Sequence, residues 1–294
     1  MDEEVSVLYQ ASSGGIRRDQ IEVALSREFN RKIHSFHEPG IDVLWQEKLK
    51  ENPRLFNGSK FRLHSIQEKK SKNVYIELGV TGYKDFLGTN WSKNAKEMLR
   101  LGEEEHGNKQ AYMSDALGVG AFLQTKDGFV VFIRRSQHVG EAQGLWDIPG
   151  GHPEPEELVG KVNNPADICI NDLNPALVVN EIFDSTLREI RDEVNVPLSS
   201  LSEPIFLGVS LNHTSAFRPS ADFLVRCSLS SQEVKHLYDS GGVEAEESTS
   251  IKFVLIQDVK KLPESELWHE MAPSGKGCIV VYNQASFCAS YSVL

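Results

Sequence analysis

Three carboxylates crowded into one stretch, Glu189, Asp192 and Glu193, are the side chains of this chain best placed to do chemistry. Glu189 and Glu193 are four residues apart, so on a helix they stack on one face one turn apart, with Asp192 beside them. Such crowding disfavours the charged forms unless a cation is shared, and an all-oxygen set suits a hard ion such as Mg²⁺. Taken alone, a helix of this kind more often carries a solvated acidic face, here with Arg188 pairing Asp192. The loop upstream changes that reading: Trp146-Asp147-Ile148-Pro149-Gly150-Gly151-His152, followed by Glu154, Glu156 and Glu157. Adjacent glycines let backbone approach a diphosphate closely and aim N–H groups at its oxygens. Carboxylates for a cation and a Gly-Gly turn for phosphate together point to metal-assisted chemistry on a diphosphate.

Elements must hold these groups in place. Val179, Ile182, Phe183, Thr186, Leu187, Ile190 and Val194 form a helical stripe, and Asn195 is a suitable left-handed cap before Pro197. Ahead of the Gly-Gly turn, residues 118–123 and 128–134 read as paired strands about Lys126-Asp127-Gly128. Neighbours in a strand point oppositely, so one of Arg134 and Arg135 faces the site; Arg135 is assigned to a phosphate. Further strands are expected at residues 203–212, 222–228 and 250–256, with a closing helix through 277–282.

The N-terminal third reads differently. A strand is expected at residues 5–10, then a turn at 12–15, helices over 19–28 and 41–50, and strands over 60–67 and 73–80 about a basic tip at 68–72. A short helix capped by Ser92 runs to Arg100, and residues 101–109 form a polar linker. The change of texture there divides the chain into an N-terminal α/β domain over residues 1–116, contributing to substrate binding, and a second domain over 117–294.

Bulk properties narrow the classes. Hydrophobic content of 40% with 25% charged residues predicts a packed core rather than disorder. A net charge of −11 argues against a nucleic-acid surface and demands local cations for any phosphate substrate. No apolar run reaches spanning length, and the acidic start Met1-Asp2-Glu3-Glu4 does not resemble a secretory leader, so no membrane partner and a cytoplasmic or nuclear setting are expected. Cys169, Cys227, Cys278 and Cys288 show no metal or disulfide spacing and read as free thiols.

Loop and helix together resemble the Nudix signature, in which Gly is followed after five residues by Glu, and after seven more by Arg-Glu-apolar-any-Glu-Glu-any-Gly-apolar. Gly151 and Glu157 match its first half, and Arg188 to Val196 its second, with Asp192 for one Glu and Asn195 for the Gly. Residues 158–187 stand where the pattern has seven; residues 158–174 are read as mostly a surface insertion, which leaves the role of Glu157 open. The resemblance implies a Nudix α/β/α sandwich with a mixed sheet, preceded by the smaller α/β domain. It implies Glu189 and Glu193 as metal ligands, Asp192 with them in the catalytic set, and Arg188 in a structural role.

Residues 60–65, 83–91, 149–155, 192–195 and 273–277 extend the resemblance to the members that hydrolyse UDP-glucose and UDP-galactose. That implies a small-molecule UDP-sugar partner, Mg²⁺ or another divalent metal, and products UMP and hexose 1-phosphate. Phe56, Tyr83, Arg135, Asp147, Gly151, His152 and Ser274 are carried as substrate-binding residues. By their own chemistry, Phe56, Tyr83 and Trp91 offer faces to a base, and Ser274 either donates to the nucleotide or caps a helix. The general base is left among Glu246-Glu247, Glu193 and a metal-bound hydroxide. Two alternatives stand: another nucleoside diphosphate conjugate such as ADP-ribose, or a degenerate nucleotide-binding module. Retention of mutually repelling carboxylates favours catalysis over the latter.

Overall fold

The computed structural model describes residues 2–12, 14–69 and 73–285, so Cys288, Ser13 in the expected first turn, and residues 70–72 of the basic tip lie outside the described residues. Its strands are β1 (Val5–Gln10), β2 (Ile21–Leu25), β3 (Ser59–Glu68), β4 (Val74–Gly82), β5 (Gly118–Gln124) and β6 (Phe129–Arg135). Two-residue β7 (Trp146–Asp147) and β8 (Gly150–Gly151) follow, then β9 (Ile205–Asn212), β10 (Arg218–Arg226) and β11 (Ser248–Leu255). The helices are α1 (Glu38–Glu51), α2 (Tyr83–Gly88), α3 (Ala95–His106) and α4 (Glu156–Val159). The long α5 (Pro175–Val194) comes next, with α6 (Ser231–Asp239), α7 (Glu266–His269) and α8 (Pro273–Gln284) after it. Among the described residues no helix is long and apolar enough to cross a membrane.

The central strands are apolar on both faces, which forces a layer of helix onto each. Ala121 and Leu123 of β5, with Val131 and Ile133 of β6, pack with Ile190 and Val194 of α5 and Val234 of α6. Their neighbours Phe122, Val130 and Phe132 point the other way, onto Cys278, Ile279 and Val281 of α8. The sheet between them has the order β1-β9-β10-β5-β6-β11, with β8 beside β5 and β7 beside β6. Parallel β10–β5 pairing among antiparallel neighbours makes it mixed. This is the α/β/α sandwich expected from the sequence.

A second sheet, β2-β4-β3, lies over the N-terminal half of α5. Several expectations fail here. The helix expected over residues 19–28 is a short turn, Arg18–Gln20, followed by β2. Ile21 and Val23 are buried while Glu22 is exposed, a period of two that pairing with β4 (Ile21 to Val74, Val23 to Ile76) rewards. The linker expected at 101–109 is largely helix: α3 continues to His106, buries Met98 and Gly102, and ends on Gly107 at φ 63°. Its N-cap is Asn94 rather than Ser92, whose Oγ instead accepts the Asn94 N–H at 3.1 Å.

The boundary expected between residues 116 and 117 does not separate two cores. β1 pairs with β9 in the large sheet, and one buried cluster joins Phe61, Ile76 and Leu78 of the small sheet to Phe183 of α5 and Phe206 and Phe223 of the large one. The stretch 158–174 is mostly exposed, as expected, but it also contributes to the core. Pro165, Ile168, Ile170 and Leu173 are buried, the last three in that same cluster, because they cover apolar surface that α5 and the small sheet leave open. Leu173→Ala is therefore expected to cost about 2–5 kcal/mol in urea unfolding, as core truncations do. A loss within about 0.5 kcal/mol would place Leu173 with the exposed majority of the segment.

Candidate active site

Helix α5 begins where Asn174 Oδ1 accepts the Ala176 N–H at 2.9 Å and Pro175 presets the first turn. It ends on Asn195 at φ 62°. Asn195 Nδ2 then donates to the carbonyls of Leu237 at 2.9 Å and Gly241 at 2.8 Å. A glycine would allow the same left-handed backbone but could not tie the helix end to the segment that leads into Glu244 and Glu247. The Glu244 N–H adds a bond to the Asp192 carbonyl at 3.1 Å.

The Gly-Gly turn meets the helix side-on. The Gly150 N–H donates to Glu193 Oε2 at 2.9 Å, so it is committed to a helix carboxylate rather than aimed at a diphosphate as the sequence had implied. A Cβ on Gly151 would sit 2.0 Å from Glu189 Oε1, and one on Gly150 would sit 2.4 Å from the Val119 carbonyl oxygen. Both glycines are thus required by close approach. Burial, then the charges of Glu244 and Glu247, push the Glu189 carboxyl up to about 7. Burial and then Glu189 push the buried Glu193 well above the usual carboxylate range.

These groups line a cavity of about 270 Å³. Arg135, Asp147, Gly151, His152, Glu189 and Ser274 from the sequence reading all line it. Glu193 lies behind Gly150. Asp147 is fully engaged: Oδ1 accepts the Ile148 N–H at 2.9 Å, Oδ2 accepts Ser274 Oγ–H at 2.8 Å, and Arg135 Nη1 stands 3.7 Å away. Ser274 caps no helix; its donor goes to Asp147. Burial, with Lys60, Arg218 and Arg135 nearby, holds the His152 imidazole well below its usual range, hence neutral. Tyr83 is not among the lining residues; burial and then Glu141 raise its phenol. Phe56 is 74% exposed and outside the cavity lining. Trp91, offered as a base-stacking face, packs on Phe86 at 5.2 Å and donates Nε1–H to Ser215 Oγ at 3.0 Å.

Three of the acidic residues singled out from the sequence, Asp192, Glu157 and Glu246, are placed elsewhere. Asp192 is held by Arg191, at 2.7 and 2.6 Å, and does not line the cavity. Arg188, expected as its partner, donates instead to the buried Glu181 Oε1 at 2.6 Å. That same oxygen accepts the Glu154 N–H at 3.1 Å, so Glu181 ties the signature helix to the loop. Glu157 is exposed in α4. Of the Glu246-Glu247 pair, Glu247 lines the cavity and Glu246 does not.

Sequence reasoning missed Lys60, Glu141, Arg218 and Glu244, which come from four separate segments. Only Arg218, a charge at the start of a strand whose residues 219–225 are buried, left a local signal. Each cation has an acid beside it: Lys60 with Glu154, Arg135 with Asp147, and Arg218 with Glu141 at 3.4 Å. Lys60, Arg135 and Arg218 line the cavity together with Glu189, Glu244 and Glu247, a set that suits a diphosphate bridged to a divalent ion. Among the described residues no three metal-binding side chains already converge on one point. That is compatible with Mg²⁺, which commonly takes one or two carboxylates and fills its shell with water and substrate phosphate.

No protein-family model matches the chain. It is 47% identical, over 288 residues, to the uridine diphosphate glucose pyrophosphatase NUDT22 of Homo sapiens, covering 97% of this chain and 94% of that one. It is 31% identical, over 258 residues, to Nudix hydrolase 9 of Arabidopsis thaliana, covering 84% and 82%. A solved Nudix hydrolase from M. smegmatis, RenU, aligns over 60% of this chain and 88% of its own at 14% identity and a TM-score of 0.34, a likeness too slight to bear on the fold.

Proposed function

The chain belongs to the Nudix hydrolase family, and on that premise we propose that it hydrolyses the diphosphate of UDP-sugars, UDP-glucose and UDP-galactose among them, to UMP and a hexose 1-phosphate. The observation that carries this reading is that Glu189, Glu244 and Glu247 line one cavity together with Lys60, Arg135 and Arg218. The uridine part rests on the relatives of 47% identity whose name specifies that substrate.

Glu189 and Glu193 would hold the divalent ion, Mg²⁺ in the first instance. When bound, it supplies charge neutralisation and polarisation of the phosphoryl oxygens. Arg135, Arg218 and Lys60 would bind the diphosphate and keep its charge from being repelled by a chain of net charge −11. Neutral His152 would offer a hydrogen bond to a sugar hydroxyl or phosphate oxygen. Asp147, with both oxygens engaged, would orient Arg135 and Ser274 toward the substrate. Glu247 would accept the proton of the attacking water, the P–O bond of the anhydride breaking as the new one forms.

Incubation of the chain with UDP-glucose and excess Mg²⁺, followed by chromatography, tests the reading directly. Metal-dependent release of UMP is expected, abolished by EDTA, with ADP-ribose left uncut. Turnover of ADP-ribose alone would move the substrate class, and UDP-glucose binding without turnover would make the domain a nucleotide sensor. Phe56 gives a finer test, because an exposed ring is free to stack on uracil. Phe56→Ala is expected to raise KM for UDP-glucose about tenfold, as loss of one base stack does, without moving the unfolding midpoint. An unchanged KM would remove Phe56 from the nucleotide site.

A further inference from the structure

The structure assigns Glu141 as the positioning residue for the cavity arginines, and Trp91 as the anchor that fixes it from outside the cavity. The inference deepens the reading above and rests on it for the identity of the bound diphosphate.

Glu141 holds both arginines by different atoms. Its carbonyl accepts Arg135 Nε–H at 3.0 Å, and its Oε2 accepts Arg218 Nη2–H at 3.4 Å. Its Oε1 accepts Ser215 Oγ–H at 2.8 Å and Asn212 Nδ2–H at 3.2 Å. Ser215 is buried, and it is itself the acceptor of Trp91 Nε1–H at 3.0 Å. Asn90 donates to its carbonyl at 3.2 Å and to Asp115 Oδ1 at 3.1 Å. A continuous polar chain therefore runs from Trp91, beyond α2, through Ser215 to Glu141 and the two cations.

Backbone strain is concentrated along this chain. Among the described residues the positive-φ non-glycines are Asp115 (44°), Ala142 (52°), Ala216 (49°), Phe217 (66°) and the helix cap Asn195 (62°). Ala142 follows Glu141, Ala216 and Phe217 follow Ser215, and Asp115 is hydrogen-bonded to Asn90. Left-handed backbone at residues with side chains costs of order 1–3 kcal/mol each and persists where the surroundings over-determine it. Here the surroundings are the bonds to Ser215 and Glu141.

The arrangement answers a physical problem of the cavity. Two flexible arginines in one cavity with Glu189, Glu244 and Glu247 would pair with those acids and neutralise the oxygens meant for the cation. Glu141 competes for them. Arg218 is 7% exposed, lines the cavity and has its Nε–H buried with no protein acceptor, so it retains a donor for a phosphate oxygen. Gly118 makes room for it, since a Cβ there would lie 2.6 Å from Arg218 Nη1.

A double-mutant cycle of Glu141→Gln and Trp91→Phe tests the assignment, with the Kd for UDP in Mg²⁺ read by calorimetry and the unfolding midpoint read beside it. Phenylalanine keeps the ring on Phe86 and removes only the Nε1–H. Glu141→Gln is expected to weaken UDP about tenfold and Trp91→Phe about threefold, the loss of hydrogen bonds to charged and neutral partners respectively. The double variant is expected to bind no worse than Glu141→Gln alone, because both act through one path. Unchanged Kd in either single variant, or losses that multiply in the double, overturns the assignment even if the midpoints fall. The cycle does not need hydrolysis: wild-type binding of UDP without turnover of UDP-glucose would sink the substrate reading and leave this measurement standing. A wild-type chain that does not bind UDP sinks both.

Discussion

Glu189→Gln lowers turnover of UDP-glucose by on the order of a thousandfold, the scale on which loss of a charge-stabilising group acts in a dry site, while leaving the metal-free protein no less stable. The two halves of this expected result have one cause. Glu189 stands among Glu193, Glu244 and Glu247, and its carboxyl is raised by burial and by those like charges. Removing one charge with the shape kept relieves that repulsion, so nothing in the apo fold is lost. The same charge is what a divalent ion needs. Mg²⁺ should therefore raise the unfolding midpoint of the wild type by mass action and raise that of the variant far less. Steady-state kinetics and thermal unfolding with and without Mg²⁺ read both halves. Wild-type kcat in the variant would remove Glu189 from the metal site, and a large drop in the metal-free midpoint would make its role structural.

Gly151→Ala is the second large effect, and it works through the same carboxylate. The added methyl would meet Glu189 Oε1 at 2.0 Å. The obstacle is the end of a flexible side chain, so the carboxylate moves and the fold survives. A displacement of about 1 Å at a reacting centre costs about a hundredfold in rate. Gly150→Ala provides the contrast, since its methyl meets the Val119 carbonyl at 2.4 Å, which is backbone in the central sheet and cannot yield cheaply. Low kcat with a near-normal urea midpoint is expected for Gly151→Ala, and a lowered midpoint for Gly150→Ala. Normal kcat in Gly151→Ala would mean that Glu189 works from some other position.

The interrupted signature has a structural resolution. Ile168, Ile170 and Leu173 of the segment 158–174 enter the core shared with the small sheet, and the acid that holds Arg188 comes from two turns earlier in its own helix, Glu181. Arg188 and Glu181 are seven apart and so share a helix face, which lets the pairing form without any residue from the loop. Glu181 also accepts the Glu154 N–H, and Glu156 accepts both the N–H and Oγ–H of Ser59, at 3.1 and 3.0 Å. The loop is thus secured to the signature helix on one side and to the small sheet on the other. Lys60, next to Ser59, enters the cavity by that attachment.

What could be read from the sequence alone was whatever repeats locally. The spacing of Ile182, Phe183, Ile190 and Val194 marked the helix, the offset of four brought Glu189 and Glu193 to one face, and Asn195 marked its end. The apolar runs 118–123 and 128–134 about Lys126-Asp127-Gly128 marked a pair of strands. What the tertiary structure decided was every pairing across long separations: β2 as a strand instead of a helix, β1 in the large sheet, Arg218 beside Glu141, and Asp147 turned to Ser274 rather than left open. The physical reason is that periodicity and capping are set by neighbours within a turn or a pleat, whereas a parallel strand partner or a buried acid's donor is chosen by energies that exist only once distant segments have met.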